Sequence, residues 1–299
     1  MPKPNFLIIG AAKAGTTAIH NYLRQHPEIY MSSVKEPMFF AFEGEKVNFR
    51  GSRSHNINNS ITCIKDYESL FDGVTKEIAI GESSPIYLYN QKAPGRIHHH
   101  LPDAKIIAIL RDPAERAYSH YLMLVRNGVE KPDKFMEALH NERSQIMNQF
   151  LPAIPYVGGG FYYSQLKRYF NLFDREQIKI YLYEDLRLDS QKLLKDIFGF
   201  IGVATAFSPD VSVKHNVSGV PKNRFIKTLM NQDNPLKLVA KSLLPQKFRK
   251  NIYSQINQLN MDKPTIPDEA KHCLQSIYKS EILNLQELIQ RDLSAWLIK

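Results

Sequence analysis

The stretch NFLIIGAAKAGTTAIHNYLR, residues 5–24, decides the fold of this chain. Its first part, 5–10, is a short apolar run that ends in glycine, which is typical of a buried parallel strand. From residue 16 onwards, apolar side chains recur at helical spacing. The stretch therefore predicts a strand, a glycine-bearing turn and a helix, which is the opening unit of an α/β fold.

The same alternation continues along the chain. The further predicted strands are 78–80, 105–110 and 178–182, and the further predicted helices are 90–100, 113–128, 161–173 and 191–201. A polar stretch at 43–66 predicts an exposed loop, and three glycines at 158–160 predict a flexible break. This pattern predicts a P-loop-like three-layer α/β fold, in which a mainly parallel central sheet is flanked by helices.

We expect a single domain over 1–299. A chain of 299 residues can bury a sizeable core, and no linker signal divides it. The predicted α/β core spans about 4–202. From about 207 to 299 the strand signals fade and helical patterns dominate, so this part is expected to pack onto the same domain.

The composition excludes several classes of protein. With 43% hydrophobic and 23% charged residues, the chain is typical of a globular protein and not of a disordered or fibrous one. Lys and Arg outnumber Asp and Glu by 39 to 30, and the net charge of +9 fits either an anionic ligand or simply a basic enzyme. The two cysteines are far apart, which fits neither a disulfide scaffold nor a zinc site.

The N-terminus and the apolar runs bear on the location of the protein. The chain begins MPKP and enters a strand-like run at once, so we expect no signal peptide. No apolar stretch approaches the ~20 residues that a membrane helix needs. Together with the cysteine usage, these features predict a cytoplasmic protein without a membrane span.

Residues 10–17, GAAKAGTT, connect the first predicted strand to the first predicted helix. In this setting, backbone N–H groups and a helix N-terminus form a cradle for an anion. The small residues let phosphate oxygens approach the backbone, Lys13 adds a positive charge, and Thr16 and Thr17 add hydroxyl donors. The glycine spacing matches the nucleoside-triphosphatase P-loop, G-x-x-x-x-G-K-[ST], but Thr16 stands where that motif has its lysine. The loop therefore predicts a phosphate site, with a purely structural turn as the alternative.

A second candidate site follows the predicted strand at 105–110. Arg111 stands at the carboxyl end of this strand, where α/β sheets bind ligands, and a guanidinium group can hold a phosphate through two hydrogen bonds. Ser119 lies eight residues further on, about two helical turns along the next helix. The alternative is a surface ion pair between Arg111 and Asp112, with Ser119 as an ordinary helix residue.

Both segments resemble motifs of sulfotransferases that use 3′-phosphoadenosine 5′-phosphosulfate (PAPS), in particular bacterial and heparan-type members. KAGTT, residues 13–17, is similar to their 5′-phosphosulfate loop, and IIAILRDPAERAYSHY, residues 106–121, is similar to their 3′-phosphate motif. The resemblance covers about residues 4–202, and RDLSAW at 291–296 is also similar to bacterial members. It implies that PAPS is the co-substrate and adenosine 3′,5′-bisphosphate (PAP) the product.

The resemblance also implies which residues hold the nucleotide. Arg111 and Ser119 would contact its 3′-phosphate. The 5′-phosphosulfate contacts would come from Lys13, Ala14, Gly15, Thr16 and Thr17. A later loop, NVSGVPKNR at 216–224, is similar to the segment that closes the nucleotide site, with Ser218, Gly219 and Lys222 as the expected contact residues.

Residues 35–40, KEPMFF, contain the candidate general base. Glu36 precedes a proline and an aromatic pair, so we expect it at a constrained, partly apolar turn, where a carboxylate can have a raised pKa and accept a proton. The segment resembles one in bacterial and heparan-type sulfotransferases, in which this glutamate is placed as the base. The alternative is a surface charge pair between Lys35 and Glu36.

Residues 82–89, ESSPIYLY, are expected to follow a strand and face the same cleft. Heparan-type members often have a lysine where this chain has Ser83. Cytosolic small-molecule sulfotransferases carry a catalytic histidine shortly after the comparable Ser-Pro, and that histidine is missing here. The departure favours Glu36 as the base and leaves the acceptor class open. His120, next to Ser119, is an alternative base if it lines the cleft, and core packing is the other interpretation of this residue. The three histidines at 98–100 are interpreted as a solvent-facing helix end and not as a metal site.

Together, these features predict an enzyme that transfers a sulfuryl group from PAPS to a hydroxyl or amine acceptor. Glu36 would act as general base and Lys13 would stabilise the leaving phosphate. We expect no metal ion and no nucleic-acid partner. The expected acceptor is a small metabolite, with a carrier-bound chain or a saccharide as alternatives, in a pocket shaped by loops at 41–66 and 128–157 and by the helices after 224.

Two other functions fit parts of the pattern. One is a Mg²⁺-dependent P-loop kinase or nucleoside triphosphatase, against which the displaced lysine and the RDP motif count. The other is a non-catalytic nucleotide-binding module. The sequence does not indicate an oligomeric state.

Overall fold

The structure is a computed structural model that describes residues 2–48, 55–147, 155–212, 220–221, 261–262 and 264–297. Its main sheet has five strands: β1 (Phe6–Gly10), β2 (Ile29–Met31), β3 (Ala79–Ser83), β4 (Lys105–Leu110) and β5 (Ile178–Leu182). They lie in the order β2-β3-β1-β4-β5, and every neighbouring pair is parallel. The carboxyl ends of the strands therefore meet at one edge of the sheet.

Helices connect these strands and flank the sheet. The helices are α1 (Thr16–Leu23), α2 (Phe39–Phe42), α3 (His55–Asn58), α4 (Ile64–Glu68), α5 (Ile86–Tyr89), α6 (Ala93–His100), α7 (Pro113–Arg126), α8 (Phe135–Met147), α9 (Tyr162–Phe170), α10 (Tyr183–Leu188), α11 (Ser190–Ile201) and α12 (Asp268–Ile289). Short 3₁₀ turns cover Ser69–Phe71, Gly158–Gly160, Arg175–Gln177 and Ser294–Trp296. A separate antiparallel pair joins β6 (Val220–Pro221) to β7 (Met261–Asp262).

The central strands are apolar because other elements cover them on every side. All five residues of β1 are buried, as are all but the first of β4, which explains their continuous hydrophobic runs. The close packing also requires a glycine in β3, since a Cβ atom at Gly81 would lie 2.3 Å from the Phe6 ring. The core thus holds the edge where the strands end in a fixed geometry.

The parallel sheet flanked by helices confirms the predicted α/β class, and β4 and β5 have the predicted bounds. Three expectations about the chain were wrong. The stretch 43–66 contains α3 and the start of α4, and the stretch 128–157 contains α8. The glycines at 158–160 form a packed turn and not a flexible break, because Gly159 and Gly160 are buried.

The C-terminal part of the chain is helical, as predicted. Helix α12 packs against α7 and α9, and its buried side chains include Leu274, Tyr278 and Ile282. The helical patterns predicted between 222 and 260 lie outside the described residues. The single-domain organisation over 1–299 stays a prediction, which this packing supports.

Candidate active site

The loop between β1 and α1 has a geometry suited to an anion. Gly15 precedes α1 with a φ of 97°, which favours glycine, and a Cβ atom there would lie 2.7 Å from a methyl carbon of Leu186. Among the described residues, none accepts a hydrogen bond from the backbone amides of Gly15, Thr16 or Thr17. These amides and the positive end of the α1 dipole are therefore available to a bound anion.

Lys13 lies in the middle of this loop, in a left-handed backbone conformation with a φ of 72°. Its Nζ atom is 3.4 Å from the Sδ atom of Met123 on α7. Burial, followed by the positive charges of Arg126 and Arg111, lowers the pKa of Lys13 to about 8. Within the described ranges the ammonium group has no ion-pair partner, and a bound anion would stabilise it.

Arg111 brings the two predicted motifs into contact. Its Nη1 donates a hydrogen bond of 3.4 Å to the backbone carbonyl of Lys13. The guanidinium group lies 4.9 Å from the centre of the Tyr183 ring, and Nη2 is 3.2 Å from a carboxylate oxygen of Glu115. Tyr162 donates a hydrogen bond of 3.0 Å to the Arg111 carbonyl, which fixes the backbone at the end of β4.

The expected alternative, a surface pair between Arg111 and Asp112, is wrong. Asp112 is 8% exposed, and its Oδ1 accepts hydrogen bonds from the backbone amides of Ala114 and Glu115. It therefore serves as the N-cap of α7. Burial raises the pKa of this carboxyl group above its usual range.

Ser119 and His120 are both buried on α7. Ser119 lies eight residues beyond Arg111, which is roughly 12 Å along the chain at the helical rise. A nucleotide that contacts both residues would have to lie along the start of α7. The His120 ring packs 5.3 Å from the ring of Tyr156, so this histidine belongs to the packing between α7 and the segment that follows residue 154. The role of Ser119 stays a prediction.

Glu36 lies in the turn between β2 and α2. Its carboxylate forms an ion pair with Lys35, as the alternative interpretation expected, and about a third of its side chain is exposed. Its negative charge also raises the pKa of Lys13 and that of Glu82. Glu36 is therefore paired and at the same time electrostatically coupled to the first loop. Its role as a base stays a prediction.

The position of Glu82 differs from the one expected from the sequence. Strand β3 runs on to Ser83, so Glu82 lies inside the strand and is fully buried instead of facing the cleft. Its Oε2 accepts a hydrogen bond of 2.8 Å from Ser84, and its Oε1 accepts one of 3.4 Å from Tyr67. Burial raises the pKa of Glu82 to about 7. The feature of the sequence that could have indicated this burial is the single carboxylate in the strand sequence AIGES.

The three histidines at the end of α6 do not converge on one point. His98 and His99 are exposed, whereas His100 is half-buried and lies 2.6 Å from a carboxylate oxygen of Glu43. In the part of the chain that the structure covers, no three His, Cys, Asp or Glu side chains come together as a metal site would require. A metal-free reaction stays a prediction.

Several predicted features lie elsewhere or outside the described residues. Ser218, Gly219 and Lys222 of the expected closing loop are not among the described residues. Cys63 and Cys273 are both exposed and unpaired. No helix in the described ranges is both long and apolar enough to cross a membrane.

Comparison with known proteins agrees with this geometry. The model of the sulfotransferase domain family matches residues 3–224, and the chain belongs to this family. A crystal structure of a sulfotransferase from Alicyclobacillus acidocaldarius is similar over 99% of both chains, with a TM-score of 0.76 and 32% sequence identity. The predicted membership of the sulfotransferases is thereby confirmed.

Curated relatives are more distant and considerably longer. The bifunctional heparan sulfate N-deacetylase/N-sulfotransferase 4 of Mus musculus is 27% identical over 98% of this chain and 31% of its own length. The human bifunctional heparan sulfate N-deacetylase/N-sulfotransferase 3 is 30% identical over 67% of this chain and 22% of its own length. Carbohydrate sulfotransferase 15 of Mus musculus is 27% identical over 67% of this chain and 44% of its own length. The chain thus spans less than half the length of these relatives.

Proposed function

We propose that the protein transfers a sulfuryl group from PAPS to a hydroxyl or amine acceptor, with PAP as the leaving group. The contact between Arg111 and the carbonyl of Lys13 carries this proposal. It joins the two motifs at the ends of neighbouring strands β1 and β4, where one ligand can touch both. A ligand with phosphate at both its 5′ and 3′ positions matches these two separate cationic groups.

The donor would be held mainly by the first loop. The amides of Gly15, Thr16 and Thr17, which no described residue occupies, suit the 5′-phosphosulfate together with the two threonine hydroxyls and Lys13, and Ala14 leaves room for it. Arg111 and Ser119 are proposed to hold the 3′-phosphate. Lys13 would stabilise the charge that grows on the bridging oxygen as the bond between sulfur and that oxygen breaks. The residues present fit PAPS by charge and by donor type.

Glu36 is proposed to complete the reaction as general base. The acceptor oxygen or nitrogen would attack sulfur in line with the departing oxygen, and its proton would pass to the Glu36 carboxylate. The Lys35 ammonium that pairs with Glu36 would have to move or share that carboxylate during the transfer. Because it lies beside the cleft, Lys35 can also neutralise the transferring group.

The acceptor is proposed to be a small molecule or a carrier-bound group. The names of the relatives, which specify heparan sulfate or a carbohydrate, support including saccharides in a screen. Such a screen would combine labelled PAPS with phenols, aliphatic alcohols, amines and sugars. A cytoplasmic location is part of the same proposal, supported by the two exposed, unpaired cysteines.

The first test is nucleotide binding, measured by calorimetry for PAP, AMP and ATP with Mg²⁺. We expect PAP to bind best, because only PAP presents both a 5′- and a 3′-phosphate. Replacement Arg111→Ala should weaken PAP binding by roughly 10- to 100-fold while leaving the weaker AMP binding nearly unchanged, since charged hydrogen bonds are worth about 1.5–3 kcal/mol. Lys13→Ala should weaken both nucleotides.

A matched control is Lys195→Ala, which removes the same charge from an exposed position on α11. This variant should bind PAP like the wild type. Tighter binding of ATP than of PAP would contradict the proposed site and favour a kinase. Equal losses in all three variants would also contradict the proposed site, because the effect would not depend on the position of the charge.

A further inference from the structure

The turn that presents Glu36 has an unfavourable backbone conformation. Glu36 has a φ of 61° and Met38 a φ of 58°, values in the left-handed region that residues other than glycine rarely adopt. Pro37 lies between them and restricts the chain further. Such a turn keeps its shape only when neighbouring groups hold it.

Three backbone amides, two in the turn and one in α2, are held by one neighbouring segment. The Glu36 amide donates a hydrogen bond of 3.2 Å to the carbonyl of Ser83. The Met38 amide donates one of 3.1 Å to Oγ of Ser84, and the Phe40 amide donates one of 3.4 Å to the hydroxyl oxygen of Tyr87. The end of β3 and the start of α5 therefore anchor every second residue from Glu36 to Phe40.

The Glu82 carboxylate contacts two of the groups that hold these amides, the hydroxyls of Ser84 and Tyr87. It accepts a hydrogen bond from Ser84 Oγ at 2.8 Å, and the Tyr87 hydroxyl also bonds to it. Each of these hydroxyl groups thus accepts from one of the three amides and donates to Glu82. This orientation of both hydroxyl groups depends on an acceptor at position 82.

We propose that Glu82 is a positioning residue, which orients the hydroxyl groups of Ser84 and Tyr87 so that they hold the Glu36 turn in its strained shape. The catalytic meaning of this arrangement rests on the proposed role of Glu36. Glu82 itself is fully buried, so its carboxylate is closed off from the solvent that surrounds Glu36. Glu82 is therefore proposed to position the base Glu36 and not to act as a second base.

The test follows hydrogen exchange of the peptide spanning 34–42 by mass spectrometry in the full chain. Ser84→Ala, Tyr87→Phe and Glu82→Gln should each raise its exchange rate at least tenfold, while a peptide from α11 exchanges as in the wild type. The double variant Glu82→Gln with Ser84→Ala should exchange no faster than the faster single variant, because both changes remove the same support.

Tyr169→Phe is the matched control for Tyr87→Phe. Both tyrosines are fully buried, but the Tyr169 hydroxyl donates to the backbone carbonyl of Tyr87 and touches no amide of the turn. The control should leave exchange of 34–42 unchanged. If Glu82→Gln also leaves it unchanged, or if exchange rises equally in the α11 peptide, the proposal is overturned.

Binding of PAP to the same variants separates this inference from the proposed function. Ser84→Ala should bind PAP within twofold of the wild type, since Ser84 lies outside the nucleotide loops. Intact PAP binding with unchanged exchange would refute the support by Glu82 and leave the sulfotransferase proposal standing. Faster exchange in a protein that does not bind PAP would refute the proposed function and leave the support standing.

Once an acceptor has been found, a double-variant cycle tests the link to catalysis. Ser84→Ala should lower kcat at least tenfold with little change in KM for PAPS. In a Glu36→Gln background the same change should have almost no effect, because the group that it positions is already lost. Independent effects of the two changes would contradict positioning through Glu36.

Discussion

Lys13 occupies an unfavourable place for a cation when no ligand is bound. Its pKa of about 8 lies well below the value of a lysine in water, because the group is buried near Arg126 and Arg111. The folded protein therefore binds fewer protons than the unfolded chain between about pH 8 and 10.5, so stability rises with pH across that window. The buried charge of Lys13 therefore lowers the stability of the folded protein when no anion is bound.

We expect Lys13→Met to raise the free energy of unfolding at pH 7 by about 1–3 kcal/mol, since the apolar side chain meets Met123 without a buried charge. The gain should shrink as the pH rises from 8 towards 10.5, where the wild-type lysine becomes neutral. Urea unfolding at pH 7 and pH 9.5 measures both effects. Lys195→Met is the control, and an equal gain in that variant would contradict the explanation.

Glu82 provides a second prediction from charge. Its folded pKa of about 7 is raised above that of an unfolded glutamate, so the folded protein is most stable below about pH 4.5 with respect to this group. That contribution is lost as the pH rises through about 7. In the wild type, this group should lower the free energy of unfolding by up to about 3 kcal/mol between pH 4.5 and 8. In Glu82→Gln this part of the pH dependence should be absent. Parallel stability–pH curves for variant and wild type would contradict it.

Among single residues, cations that follow a strand were more predictable than the carboxylate inside one. Lys13 and Arg111 were predicted from residue type and from their place after a strand, and the structure brings them together. The surroundings of Glu82 could not be predicted, because its partner Tyr67 is distant in sequence. The sequence left two interpretations of Glu36 open, a general base and a charge pair with Lys35, and the structure contains the pair.

Among the elements, α7 depends on its first residues. Asp112 accepts hydrogen bonds from two amides of the first turn, and Pro113 occupies the first helical position. We expect Asp112→Ala to lower the free energy of unfolding by about 1 kcal/mol, whereas Asp112→Asn, which can make the same cap, should change it by a few tenths. Thermal unfolding of both variants measures the difference. Equal losses would indicate that the negative charge matters and not the cap.

The strand bounds were predicted well for β4 and β5 and poorly for β3. β4 is a continuous apolar run in the interior of the sheet, whereas β5 lies at its edge and contains Lys179. β3 was cut short since Gly81 and Glu82 look like a turn in sequence, although the Phe6 ring requires that glycine. β2 is only three residues long and went unrecognised.

In the whole molecule, α12 completes the core beside α7 and α9. The Tyr278 hydroxyl donates a hydrogen bond of 2.8 Å to the Val157 carbonyl, and its ring lies against Gly160. This contact joins the C-terminal helix to the segment after α8. It supports the proposed single domain, which sequence could suggest only through the absence of a linker.

We expect Gly160→Ala to lower the free energy of unfolding by about 1–3 kcal/mol, because the new Cβ atom would lie 2.6 Å from the Tyr278 ring. Gly95→Ala is the control, since a Cβ atom at this helical position meets nothing within 4 Å and should raise stability by up to about 1 kcal/mol. Urea unfolding compares the two. A neutral Gly160→Ala would mean that α12 is not firmly packed.

The strand order has a consequence for how such an enzyme can change. The proposed donor contacts follow the central strands β1 and β4, whereas the proposed base follows the outer strand β2. With the proposed roles, variation in the outer turn would act on the base, whereas most donor contacts lie on other strands. Transplanting residues 32–42 between family members would show whether this turn influences the choice of acceptor.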